Sequence, residues 1–251
     1  MPFIDQALLF AIALAANTFS AFSGGGAGLV QLPALILLGL PFAVALATHK
    51  VASVALGLGA TTRHLREHTL RRRYVTLMLA AGLPGVVTGA GLVLHVPSRS
   101  AEIALGLMTM ALGLYSLTHR GLGQKITARP LGPATLWVGA GGLFAIGLLN
   151  GSLTSGTGLF VTLWLIRWFG MDYRMAVAHT LVLVGVFWNG AGAVTLGWLS
   201  DIRWEWLPAL LAGSLIGGYL GAHLSIVAGN RWIKRGYELV TILIGAKLML
   251  G

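Results

Sequence analysis

The chain is a succession of long apolar runs parted by short stretches that hold nearly all of its charge. A bilayer's hydrocarbon core, about 30 Å thick, takes about 20 helical residues to cross. Within it, a backbone survives only where every amide is satisfied internally. Runs of this kind predict an all-α polytopic membrane protein. Only 10% of the residues are charged and 56% are hydrophobic, whereas a soluble domain carries about a quarter charged residues.

Apolar runs predict ten membrane segments, at roughly 5–22, 27–39, 42–62, 74–95, 102–118, 132–150, 157–168, 174–196, 207–227 and 235–250. At 1.5 Å per residue the segments 27–39 and 157–168 are too short to span comfortably. Full crossings therefore number about 8–10. Each short segment follows a Gly/Ser-rich break, Ser23-Gly24-Gly25-Gly26 in one case and Ser152-Leu153-Thr154-Ser155-Gly156 in the other.

The net charge of +10 does not point to nucleic acid, because the basic residues cluster in short loops between apolar runs. There they set orientation. Arg63, Arg66, Arg71, Arg72 and Arg73 share one loop, Arg120, Lys125 and Arg129 a second, and Arg231, Lys234 and Arg235 a third. All three loops are expected to be cytoplasmic. The turn His95–Glu102 and the loop Gly197–Trp206, with interfacial Trp198, Trp204 and Trp206, are expected outside, as are both termini. The N-terminus lacks the basic region of a cleavable signal. Without cysteine, disulfides, thiolate catalysis and cysteine metal sites are excluded. No nucleotide loop is present, and His64 and His68 sit in a basic loop that repels cations, so no cofactor or metal is expected.

The chain also repeats itself. Gly26-Ala27-Gly28-Leu29, a short segment, Gly39-Leu40-Pro41 and Ala45-Leu46-Ala47-Thr48-His49 are followed by a second copy. It reads Gly156-Thr157-Gly158-Leu159, a short segment, Gly170-Met171-Asp172 and Ala176-Val177-Ala178-His179-Thr180. Gly82, Gly85 and Gly89 likewise match Gly213, Gly217 and Gly221. Five segments per half is an odd number, so the halves would lie in opposite orientation, the inverted-repeat plan of many transporters. The expected division is a first repeat over 1–118, a linker over 119–131 and a second repeat over 132–251.

Two symmetric breaks would put two helix N-termini, with their free N–H groups and partial positive charge, near one midplane site that suits an oxyanion. The bland alternative is that the glycines only let helices pack closely. Lys50 lies inside the third segment, while Asp5, Glu67, Glu102, Asp172, Asp201, Glu205 and Glu238 all fall in loops or at segment ends. A buried cation without a buried acid can attract an anionic ligand; equally, Lys50 could snorkel to the interface. His49 and His179 are candidates for proton coupling or for packing. Gly24, Gly25, Gly26, Gly28, Gln31, Thr48, Asn150, Ser152, Ser155, Gly156, Thr157 and Thr180 complete the candidate site, with Asn189 either a donor to the anion or glue between helices.

In Gly24-Gly25-Gly26-Ala27-Gly28, Gln31-Leu32-Pro33, Ala47-Thr48 and the stretch Asn150 to Gly158, the chain resembles the sulfite exporter TauE/SafE family, also called the toluene-sulfonate uptake permease family. The resemblance covers essentially the whole chain, although the second half has no proline matching Pro33. It implies a secondary transporter in the bacterial inner membrane that moves sulfite, an organosulfonate or a related sulfur oxyanion. Export is favoured, and the partners are the lipid bilayer and a small anion, with a homo-oligomer left open. Two alternatives stay open. One is an anion channel or a non-transporting assembly partner. The other is an intramembrane serine protease built on Ser155 and His179, which the missing glycine at Leu153 and the symmetric duplication speak against.

Overall fold

A computed structural model describes residues 3–25, 27–67, 70–92, 98–127, 130, 132–153 and 156–250. Among them, ten helical elements follow the ten apolar runs. They are α1 (Phe3–Ser23), α2 (Gly28–Leu37), α3 (Phe42–His64), α4 (Arg72–Leu92), α5 (Ser98–Thr118), α6 (Pro133–Ser152), α7 (Thr157–Phe169), α8 (Tyr173–Leu199), α9 (Leu207–Ala228) and α10 (Asn230–Leu250). Six stretches are long and apolar enough to cross a membrane: Asp5–Ser23, Phe42–Glu67, Arg72–Leu92, Pro133–Ser152, Tyr173–Leu199 and Trp204–Ala228.

The two short helices are return legs. With 10 residues α2 is about 15 Å long, and with 13 residues α7 is about 20 Å. Gln6 Nε2 at the start of α1 donates to Glu205 O at 2.8 Å, and Leu38–Pro41 beyond α2 share a hollow with Asp201–Trp206. Both ends of the α1–α2 hairpin therefore lie by the loop 200–206. The α6–α7 hairpin is closed by Trp168 Nε1 donating to Thr135 O at 2.9 Å and Trp164 Nε1 donating to Gly139 O at 3.2 Å. It ends by the other loop, where Thr127 N–H donates to Gly170 O at 2.8 Å and Tyr173 N–H to Gly123 O at 2.9 Å. α8, 27 residues and about 40 Å long, runs from one of these loops to the other. The hairpins thus enter from opposite ends of the bundle.

Each hairpin's long leg packs on a helix of the other half, α1 along α9 and α6 along α4. Glycine makes both approaches possible. A Cβ added at Gly213, Gly217 or Gly221 would stand 2.6, 2.7 or 2.2 Å from the carbonyl oxygens of Phe10, Leu14 or Thr18. At Gly85 and Gly89 it would meet Phe144 O at 2.3 Å and Leu148 O at 2.1 Å. In lipid, helices have no hydrophobic drive toward one another, so close backbone contact of this kind supplies the attraction. Gly217→Val is expected to force α1 off α9, cost about 1–3 kcal/mol and lower the melting temperature in detergent. Gly141→Ala, which meets no atom within 4 Å, is the control and should melt like the parent.

One carboxylate lies elsewhere than the sequence pattern placed it. α10 begins at Asn230 rather than near 235, so Glu238 is two turns inside the helix, not at its end. There it is paired with Lys234 one turn back, both nearly buried, with Ser116 of α5 hydrogen-bonded to each.

Candidate functional site

The two breaks meet. Gly24 and Gly25 take φ of +93° and +124°, and Gly156, which caps α7, takes +75°; this left-handed region is open to glycine and costly to other residues. Because neither Gly25 nor Gly158 has a side chain, the tips touch backbone to backbone. A Cβ on Gly25 would lie 2.6 Å from Gly158 Cα, and one on Gly158 would lie 2.9 Å from Gly25 Cα. Thr162 Oγ1 of α7 donates to Gly24 O at 2.7 Å and lies 2.9 Å from Thr180 Oγ1 of α8.

Beside this contact is a cavity of about 40 Å³, enough for roughly three water-sized positions at about 10–15 Å³ each. Ser20, Gly25 and Gly28 line it from the first hairpin, and Asn150, Thr157 and Gly158 from the second. His49 and Ser53 come from α3, and Thr180, Gly185 and Asn189 from α8. Both return helices begin at the cavity, so the positive ends of their dipoles lie at it; in their first turns the Val30 and Leu159 N–H groups are already taken by Ala27 O at 3.2 Å and Gly156 O at 2.8 Å. Along Thr180–Trp188, α8 is a π-helix, an uncommon form that recurs at functional sites.

Lys50 stands behind this wall, fully buried. Its ammonium group donates to Asn150 O at 2.7 Å, Asn150 Oδ1 at 2.7 Å and Asn189 Oδ1 at 3.2 Å. Three N–H bonds meet three oxygens, which uses every donor of the ammonium group. Among the described residues Lys50 makes no ion pair, so its charge is solvated by amides and not neutralised. Asn150 passes the polarisation on: its Nδ2 donates to Thr157 Oγ1 at 2.8 Å. Lys50 does not reach the surface.

Of the residues singled out from the sequence, Gly25, Gly28, His49, Asn150, Thr157 and Thr180 line the cavity. Gly24, Lys50 and Gly156 support it from behind. Four stand apart from it. Gln31 Oε1 accepts from Asn17 Nδ2 at 3.1 Å in a buried cluster with Ser214. Ser152 Oγ donates back to Leu148 O at 2.8 Å. Thr48 Oγ1 accepts the Arg203 N–H at 2.9 Å, and His179 Nε2 accepts the Arg71 N–H at 3.1 Å. With His179 Nδ1 also 2.8 Å from Met175 O, both ring nitrogens are engaged by backbone, which leaves none to deprotonate a serine. Gly26, Ser155 and His68 lie outside the described residues.

His49 differs from His179. Its Nε2 is 3.1 Å from Ser53 Oγ, while its buried Nδ1 has no hydrogen-bond partner among the described residues. Ser20 and Ser53 complete the lining and were not among the sequence candidates. Helical spacing marks both, since Ser53 lies one turn after His49 and Ser20 one turn before Gly24.

Comparison with known proteins agrees over nearly the full length. The family model for the sulfite exporter TauE/SafE matches residues 9–248. A "probable membrane transporter protein" of Haemophilus influenzae is 28% identical, with 97% of this chain and 94% of that protein covered. The probable membrane transporter protein YfcA of Escherichia coli K12 is 27% identical over 96% of this chain and 88% of its own. The probable membrane transporter protein YunE of Bacillus subtilis is 23% identical, covering 96% of each. No solved structure matches the chain.

Proposed function

Since the chain belongs to the sulfite exporter TauE/SafE family and is a membrane transporter, we propose that it carries a small anion, sulfite, an organosulfonate or a related sulfur oxyanion, out of the cell. The observation that carries this reading is Lys50, a buried cation beside a polar cavity, held by amide oxygens and, among the described residues, by no acid. In the mechanism we infer, Asn150 Nδ2, the hydroxyls of Thr157 and Thr180 and the amides of Gly28 and Gly158 contact the anion. Lys50 contributes charge from one residue further back. Such preset dipoles and charge bind without the reorganisation that water would need.

The halves act as inverted repeats, each contributing one hairpin, and alternating access comes from rocking one against the other. The backbone contact of Gly25 with Gly158 supports a carrier over an open channel, because it closes the path between the tips. An anion leaving the cytoplasm moves with the inside-negative potential, about 2.3 kcal/mol per charge per 100 mV. His49 is the residue proposed to take up a coupling proton, since it lines the cavity and its Nδ1 has no hydrogen-bond partner among the described residues, whereas His179 serves as a backbone clamp.

Flux into proteoliposomes tests the reading. Sulfite and small sulfonates should move and compete with one another, with flux following an imposed potential. His49→Gln should flatten the dependence of flux on a pH gradient, and His179→Gln should keep that dependence while lowering thermal stability by about 1–2 kcal/mol. Transport of a neutral or cationic solute with no response to these anions would overturn the proposal.

A further inference from the structure

The basic end of the bundle holds a second concave site, away from the transport cavity and independent of the substrate reading. It is a hollow of about 430 Å³ between the 119–127 turn and the last turns of α5 and α7. Arg120, Lys125, Arg167 and His119 line it, and among the described residues no carboxylate does. Arg167 is fixed against its wall: Nε donates to Tyr115 OH at 2.8 Å, and the Tyr115 ring stacks on His119 at 4.2 Å between centroids. The turn that carries Arg120 and Lys125 is strapped down as well. Thr127 N–H donates to Gly170 O at 2.8 Å, Gly123 O accepts the Tyr173 N–H at 2.9 Å, and Gln124 O accepts from Asn230 Nδ2 at 3.1 Å.

Charge orientation across the membrane accounts for basic residues being at this end. It does not require cations from two separate elements to converge on one preformed hollow, where they repel one another. A multivalent oxyanion relieves that repulsion, and a guanidinium pair with a lysine suits phosphate oxygens in particular. We propose that this hollow binds a phosphate group, either as the headgroup of an anionic phospholipid or as a soluble phosphate. Its occupant would join the 119–127 turn to the base of the α6–α7 hairpin, the element whose tip closes the transport cavity.

The experiment uses the full-length protein in nanodiscs. In discs of neutral phosphatidylcholine, inorganic phosphate is titrated and thermal unfolding is followed; a second set of discs contains phosphatidylglycerol. Stabilisation by phosphate in neutral discs assigns the hollow to a soluble anion, and stabilisation by phosphatidylglycerol alone assigns it to a headgroup. In either case the combined Arg120→Gln, Lys125→Gln and Arg167→Gln variant should lose the response at least about tenfold. A control that removes the same charge elsewhere on this end, Arg66→Gln with Arg72→Gln and Arg231→Gln, should keep it. Lys125→Gln alone, which breaks no hydrogen bond, should weaken the response about threefold and guards against a folding defect in the triple variant. The proposal is overturned if neither ligand stabilises the parent, or if the control loses the response as fully as the triple variant does.

Discussion

Lys50→Met should lower apparent affinity for the transported anion by about a hundredfold while the protein still inserts and folds. The size follows from Coulomb's law: a charge about 6 Å from the anion, at an effective dielectric constant of about 20, contributes roughly 3 kcal/mol. Stability should respond less, because two effects oppose each other. Removing the ammonium takes one donor each from Asn150 O, Asn150 Oδ1 and Asn189 Oδ1, at about 1.5–3 kcal/mol for each bond to a charged group. Against that, a buried charge no longer has to be kept out of water, which returns several kcal/mol. Affinity and stability therefore separate in this variant.

Lys50→Arg is the informative companion. It keeps the charge, yet the pocket is full: a Cβ on Gly192 would already sit 3.1 Å from Lys50 Cε. Arginine's longer planar head has no room there, so rescue should be partial. The check is the concentration dependence of sulfite flux at matched protein insertion. Unchanged affinity in Lys50→Met would remove Lys50 as the source of anion binding, and the proposed mechanism with it.

What could be read in advance divides along the distance over which each feature is determined. Helix positions are a local matter of apolar runs, and the ten runs correspond to the ten helices. The breaks were legible for the same reason, since glycine and serine interrupt a run wherever the rest of the chain lies. Lys50 was ambiguous because its direction depends on Asn150 and Asn189, 100 and 139 residues away. His49 and His179 look alike as histidines after an alanine-rich stretch. What separates them is the Arg71 N–H, supplied to His179 from 108 residues away. The π-helical stretch Thr180–Trp188 leaves no trace in composition, because Leu, Val and Gly suit an α-helix equally in lipid. Glu238 was misplaced although its partner stood at the i−4 spacing that favours an ion pair. The charge density of Arg231 to Glu238 masked the first two turns of α10.

Gly25→Ala should abolish transport and destabilise the protein. Two costs coincide at this position. With φ of +124°, the residue sits where a side chain is strained by about 1–3 kcal/mol. The new Cβ would also stand 2.6 Å from Gly158 Cα, 2.7 Å from Gly158 C and 3.0 Å from Leu159 N. These are backbone atoms, which cannot swing aside as a flexible side chain would, so α7 itself must shift. Two partner variants separate the costs. Gly39→Ala has φ of +98° and nothing within 4 Å, so it should show strain alone and retain transport. Gly158→Ala, in ordinary helical backbone but 2.9 Å from Gly25 Cα, should show the tip clash alone and lose transport at least about tenfold, since an ångström-scale displacement of binding groups costs that much or more. Measured together as flux and melting temperature, the three distinguish a hairpin that merely has to fold from one whose tip must meet its counterpart. Should Gly158→Ala carry anions as fast as the parent, contact between the tips is not what forms the site, and the cavity beside it loses its claim to be the path.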